Sequence, residues 1–210
     1  MRALLWSGLA LLFFGLFLRV TWEMREDSSI DSWDRRLLVF ISNSRTTSLN
    51  GPAVDFTALG SPTVLTLFTV IGVVVLLLNR DRRGSTYLAL GSGVAGLSTY
   101  LLKHLFTRER PNIVPRLVEV SGFSYPSGHS IGASSFYLLL AFLSCRYFRT
   151  GRSRAVVFAC AGILIVGVCF SRLYLGVHYP SDVLSGMLLG SAWVCLLTYV
   201  FFGRTGRPAL

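Results

Sequence analysis

AVVFACAGILIVGVCFSRLYLGVHYPSDVLSGMLLGSAWVCLLTYVFF, residues Ala155 to Phe202, decides the fold: two apolar runs, Ala155 to Tyr174 and Asp182 to Phe202, meet at the polar segment SRLYLGVHYPSD. Each run has roughly the 20 residues that cross a ~30 Å hydrocarbon core as a helix. Working outward, comparable runs occur at Ala3 to Val20, Pro62 to Leu78, Tyr87 to Phe106 and His129 to Cys145. Of the 210 residues, 52% are hydrophobic and only 14% charged, with a mean hydropathy of +0.59, which a soluble domain of this length could not bury. The expected fold is therefore all-α: a polytopic membrane protein with six transmembrane helices in one bundle, forming a single domain over residues 1–210.

Arg2 and the first run resemble a signal peptide. The run is long, however, and continues as RVTWEMRED without a small-x-small cleavage site, which favours an uncleaved helix. Cys145, Cys160, Cys169 and Cys195 fall in or beside apolar runs without metal-ligand spacing and are read as small core residues.

The net charge of +10 invites a nucleic-acid reading, but its distribution argues for topology instead. Arg80, Arg82 and Arg83 separate the second and third runs; Arg146, Arg149, Arg152 and Arg154 separate the fourth and fifth; Arg204 and Arg207 follow the sixth. With Arg2 they share one side, which the positive-inside rule makes cytoplasmic. Arginines of the first intervening segment are offset by Glu23, Glu26, Asp27, Asp31, Asp34 and Asp55. The basic excess thus points to the lipid bilayer as partner and away from nucleic acid. In a bacterial inner membrane both termini would be cytoplasmic, and the polar segments between runs three and four and between five and six would face the periplasm or exterior.

The segment from Thr21 to Ser61 holds an amphipathic stretch, SWDRRLLVFISNS, followed by a Gly51-Pro52 break. A short interfacial helix fits it, serving either as a lid or as a plain connector. Gly186, Gly190, Gly91 and Ala95 allow close helix packing within one bundle; nothing in the sequence sets an oligomeric state.

Three polar clusters on the outward side carry the chemistry. In KHLFTRERP, Lys103 and Arg110 are seven residues apart and share a face if the third helix continues that far, with Pro111 ending it; they are either an anion grip or plain interfacial cations. In YPSGH, Ser127 and Gly128 lie at a helix start, where free N–H groups and the helix dipole favour a phosphate, and His129 stands at its edge as a proton donor; the plainer alternative is an ordinary cap. In SRLYLGVHYPSD, His178 precedes Asp182 by four residues, so a carboxylate can fix the imidazole tautomer and leave the other nitrogen free to attack. Arg172 adds a guanidinium fork suited to phosphate oxygens. The alternative there is that Asp182 merely caps the last helix.

These three patterns, Lys with Arg-Pro after six residues, Pro-Ser-Gly-His, and Ser-Arg followed by His and Asp, resemble the type 2 phosphatidic acid phosphatase superfamily. Every position of its motifs is matched: Lys103, Arg110, Pro111, Pro126, Ser127, Gly128, His129, Ser171, Arg172, His178 and Asp182. The resemblance implies an integral membrane lipid phosphatase. His178, oriented by Asp182, would attack phosphorus to form a phosphohistidine while His129 protonates the leaving group. Lys103, Arg110, Ser127, Gly128 and Arg172 would hold the phosphate oxygens. It implies no cofactor and no metal, and no additional carboxylate or histidine cluster offers a two-metal site.

The compact length, the LGS stretch at Leu59 to Ser61 and the VEVSGFSYPSGHS approach are most similar to the phosphatidylglycerophosphatase B type, which implies a membrane lipid phosphate such as phosphatidylglycerophosphate or phosphatidic acid as substrate. Undecaprenyl pyrophosphate is the alternative substrate. Two further classes fit less well: a vanadate-dependent haloperoxidase, against which six apolar runs argue, and a non-hydrolytic lipid-binding or transport protein, against which both histidines argue.

Overall fold

The computed structural model describes residues 2–26, 28–148 and 150–203; of the charges counted above, Asp27, Arg149, Arg204 and Arg207 lie outside them. The elements are α1 (Arg2–Glu26), α2 (Ser28–Asn43), α3 (Thr47–Ala58), α4 (Pro62–Leu78), α5 (Arg82–Phe106), α6 (Gly128–Ser144), α7 (Gly151–Tyr174) and α8 (Pro180–Thr198), the last running into a π-helical turn at Tyr199–Gly203. The described residues contain helices and no strand, as expected for the all-α class.

Helix starts follow local chemistry. Ser61, Asp81, Ser127 and Thr150 each place a side-chain oxygen on a free N–H at the start of α4, α5, α6 and α7, and Pro62 and Pro180 occupy first-turn positions that need no N–H. Each of the six apolar runs is helical, and α1 continues past Val20 to Glu26.

Among the described residues three helices, against the six spans expected, are long and apolar enough to cross a membrane: Ala3–Glu26, Gly151–Tyr174 and Pro180–Gly203. A fourth span results if α3 and α4, bent by 44° at their break, count as one. Only 6% of the most apolar part of α1 is buried, and Leu4 and Leu78 are 76% and 78% exposed. An apolar surface of this extent is unfavourable in water and suits hydrocarbon.

The segment between α1 and α4 departs from expectation. It forms two helices, and α3 runs straight through Gly51 and Pro52. Pro52 is the sixth residue of α3, so its ring deletes only the bond to the carbonyl of Ser48, which lies in the exposed first turn. The amphipathic stretch itself forms most of α2, with Leu38 and Ile41 buried and Phe40 exposed.

Helix α6 sits at the centre, packed by α5, α7 and α8; α1 lies along α8, α4 along α5, and α3 along α7. The contact between α6 and α8 is backbone-close. A Cβ at Gly186 would stand 2.7 Å from the Ser127 carbonyl oxygen, and one at Gly190 would stand 2.8 Å from that of Ile131. Small residues therefore serve packing inside the bundle, as read from the sequence. Gly186→Ala is expected to destabilise by about 1–3 kcal/mol through overpacking, seen as a lower Tm in detergent. Gly8→Ala should not, since nothing lies within 4 Å of its would-be Cβ.

Cys145, Cys169 and Cys195 are buried as expected, whereas Cys160 is exposed on α7. At one end of the bundle Arg146 pairs with Asp81 at 2.6 Å, and Arg83 and Arg146 lie over the Phe202 ring. This gathers the α4–α5 and α6–α7 turns beside the end of α8. The opposite end carries the three polar clusters.

Candidate active site

Four chain segments converge at that end: the tail of α5 with loop 107–127, the start of α6, the end of α7, and link 175–179 with the start of α8. Lys103, Arg110, Gly128, His129, Arg172 and His178 line one cavity of about 970 Å³. Of the eight site residues expected from the sequence, the structure thus brings six onto a common wall. Asp182 and Ser127 lie behind it, both fully buried.

The His178 ring is oriented from both sides. Its Nε2 lies 3.2 Å from Arg110 Nη1. A guanidinium can only donate, so Nε2 is the acceptor and the ring proton sits on Nδ1. That proton faces Asp182 Oδ2 at 3.4 Å and Ser124 Oγ at 3.3 Å. Asp182 is itself fixed: Oδ2 accepts from Ser124 Oγ and, at 2.9 Å, from Tyr179 N. The unprotonated nitrogen is thus the one on the Arg110 side, both residues line the cavity, and an unprotonated nitrogen is what a nucleophile needs.

Burial pushes the His178 imidazole down to about 3; Asp182 opposes the fall, while Arg172 and Arg110 add to it. The native ring is neutral at pH 7. Because this value is below the ordinary 6.5, the unfolded chain takes up a proton that the native state refuses, so the His178 contribution to stability is complete above pH 6.5 and is lost as pH falls towards 3. Between pH 7 and pH 5 the wild-type Tm in detergent is expected to fall further than that of His178→Asn, whose amide does not titrate.

The cations do not meet in the expected way. Helix α5 ends at Phe106 because Thr107 adopts a left-handed conformation (φ 47°), so Arg110 is not on its face. Loop 107–127 instead turns Arg110 back. Its guanidinium donates to the carbonyls of Gly122 (2.9 Å), Ser121 (3.0 Å) and Val177 (2.9 Å), leaving one edge on His178. Lys103 Nζ donates to the Phe123 carbonyl. Arg172 donates through Nη1 to Thr57 Oγ1 at 2.6 Å, while its buried Nε has no hydrogen-bond partner. A buried guanidinium donor without a partner suits an anion.

At the start of α6, Ser127 Oγ accepts from Ser130 N and Ser130 Oγ, so its side chain works as the helix cap. Gly128 and His129 come forward to the cavity instead. The His129 ring makes no hydrogen bond to the described residues and packs against Gly60, where a Cβ would stand 3.4 Å from its Cδ2. The LGS break between α3 and α4 thus shapes the histidine's surroundings.

Sequence reasoning assigned no role to Arg108, Ser124 or Asp34. Arg108 Nη1 meets Asp182 Oδ1 at 2.5 Å and its Nη2 meets Asp34 Oδ2 at 2.8 Å. A signal existed: Asp34 is spaced by four and seven residues from Leu38 and Ile41, so an acid sits on the apolar face of α2. Among the described residues no group of three or more His, Cys, Asp or Glu could hold a metal ion.

A cavity with three cations, the Gly128 start of α6 on its wall and a neutral, oriented histidine is equipped to bind and attack a phosphate ester. The PAP2 superfamily is matched over residues 84–206, more than half the chain, and the protein belongs to that superfamily. It is a phosphatase of the PAP2 type, a hydrolase of phosphate esters. It is 35% identical over 144 residues to phosphatidylglycerophosphatase B of Bacillus subtilis (strain 168), covering 68% of this chain and 70% of that protein. It is 29% identical to an undecaprenyl-diphosphatase of Sulfolobus acidocaldarius, covering 77% and 75% of the two chains. The crystal structure of a transmembrane PAP2-type phosphatidylglycerolphosphate phosphatase from Bacillus subtilis superposes with a TM-score of 0.87 at 29% identity, over 94% of this chain and 98% of that one.

Proposed function

We propose that the protein is an integral membrane lipid phosphatase, folded as a single domain, that hydrolyses a phosphate monoester such as phosphatidylglycerophosphate or phosphatidic acid through a phosphohistidine on His178. The observation that carries this reading is the cavity. Its polar end holds His178, His129, Arg172 and Lys103, and it continues between α4 and α5 along Val70, Val73, Val74 and Ala89. A headgroup phosphate fits one end and an acyl chain the other, which is the division a lipid requires.

In this proposal α1, α4, α5, α6, α7 and α8 each span the bilayer. The end bearing Arg83 and Arg146 is cytoplasmic together with both termini, and the site opens on the periplasmic or external face of an inner membrane. Neutral His178 Nε2 attacks phosphorus as the bond to the leaving oxygen breaks, and His129 gives that oxygen its proton. Arg110, Arg172, Lys103 and the Gly128 N–H hold the three remaining phosphate oxygens. Water then attacks phosphorus, His129 takes its proton, the P–N bond breaks and inorganic phosphate leaves.

The test is phosphate release by purified protein in detergent from a panel of lipid phosphates and pyrophosphates. Turnover of phosphatidylglycerophosphate or phosphatidic acid, undiminished by EDTA, is the expected result. Exclusive turnover of water-soluble phosphates would overturn the lipid reading. Similarity to an undecaprenyl-diphosphatase over 77% of the chain supports a second arm, undecaprenyl pyrophosphate, whose preferential hydrolysis would select that substrate.

A further inference from the structure

Outside the residues assigned so far, one buried ionic network touches the reacting histidine's partner. Asp34 of α2 is fully buried, a location that an ionised carboxylate tolerates only when paired. It accepts from Ser181 N at 2.8 Å through Oδ1, and from Ser181 Oγ and Arg108 Nη2 through Oδ2. The Ser181 N–H is one of the orphan donors in the first turn of α8, so Asp34 caps that helix from another element. Arg108 closes the network: Nη1 reaches Ser181 Oγ at 2.8 Å and Asp182 Oδ1 at 2.5 Å, and its guanidinium lies 4.3 Å from the Tyr179 ring centroid.

We infer that Arg108 and Asp34 are positioning residues for the reaction, a pair that fixes the Asp182 carboxylate and sets the strength with which it acts on His178. This rests on the catalytic roles proposed above for His178 and Asp182. Neither Arg108 nor Asp34 lines the cavity, so neither touches substrate. Their influence runs through Asp182, whose Oδ1 is held by Arg108 while Oδ2 faces the imidazole.

The two members act in opposite electrostatic senses. Arg108 withdraws negative potential from Asp182, and Asp34 shares the guanidinium charge and so restores part of it. Without Arg108 the full carboxylate charge falls on His178 and its proton affinity rises. Without the Asp34 charge the guanidinium acts on Asp182 alone and the affinity of His178 falls. The other charged or titratable groups facing His178 are Arg110 from the loop, Arg172 from α7, His129 from α6 and Lys103 from α5, and these are common to all variants compared.

The experiment measures kcat and KM from pH 2 to pH 8, a window that brackets the low His178 value, on short-chain phosphatidic acid in mixed micelles, for wild type, Arg108→Gln, Arg108→Lys and Asp34→Asn, with His178→Ala as control. Arg108→Gln is expected to lower kcat by about ten- to hundredfold with KM little changed, because the displaced group is remote from the bound phosphate. The acid limb of kcat should move to higher pH in Arg108→Gln and to lower pH in Asp34→Asn. Arg108→Lys, which keeps the charge, should hold the limb at the wild-type position. Loss of folding alone would not move the limb in opposite directions. Limbs that shift together or not at all, or a rise in KM with kcat intact, would overturn the inference. Should Arg108→Gln fail to yield a monodisperse protein, Arg108→Lys and Asp34→Asn decide between the same outcomes. An active His178→Ala would instead defeat the proposed mechanism itself.

Discussion

His178→Ala is expected to abolish phosphate release, by about 10⁴-fold or more, since a nucleophile's removal leaves only what binding and charge stabilisation contribute. The cavity would keep Lys103, Arg110 and Arg172, so lipid binding should survive. The intermediate gives a more direct reading than the rate. An aryl phosphate has a leaving group that needs no proton, so with His129→Ala the first step proceeds while the second, which needs a base to activate water, slows. A phosphoryl-enzyme stable to alkali and labile to acid should then accumulate, and should be absent from His178→Ala. Normal turnover by His178→Ala, or a phosphoryl group recovered on another residue, would refute the mechanism.

Asp182→Asn should lower kcat by about 10³- to 10⁴-fold with little change in KM, an effect of tautomer and not of shape. In the native site the Arg110 donor at Nε2 and the carboxylate at Nδ1 agree on one tautomer. An asparagine can turn its NH₂ towards Nδ1, which favours the proton on Nε2, where the attacking lone pair belongs. Arg108 would at the same time lose one of its two carboxylates. Kinetics on a soluble substrate analogue separate the two constants. A wild-type kcat would show that the carboxylate only caps α8.

The capping alternative for Asp182 is in fact also present, because its Oδ2 accepts from Tyr179 N at 2.9 Å. One side chain does both. A spacing of four residues between His178 and Asp182 was enough to suggest the contact, since the residues sit at a helix start where local geometry is tightly determined. The same holds for the six apolar runs, all of which form helices: hydropathy and caps such as Ser61-Pro62 and Asp81 act within a few residues. Local spacing decides less where a longer-range arrangement overrides local preference. Arg110 would share a face with Lys103 only if α5 continued that far, but left-handed Thr107 ends the helix and the carbonyls of Gly122, Ser121 and Val177 hold the guanidinium. The Ser127 oxygen accepts as the cap of α6, and the residue lies fully buried behind the cavity wall, a placement that only the packing of α6 decides.

Asp34 marks the boundary most clearly. On its own helix it is one acid on an apolar face, beside Leu38 and Ile41. Its partner Arg108 is 74 residues away, and Arg108 is another 74 from Asp182. No local spacing encodes such a bridge.

The amino-acid sequence by itself determined the helices, the apolar surface and the complement of groups for phosphoryl transfer, because hydropathy, capping and short motifs are short-range properties. Tertiary structure alone decided which cations face His178, which tautomer it holds and what anchors Asp182, because those depend on distances between elements that only packing brings together.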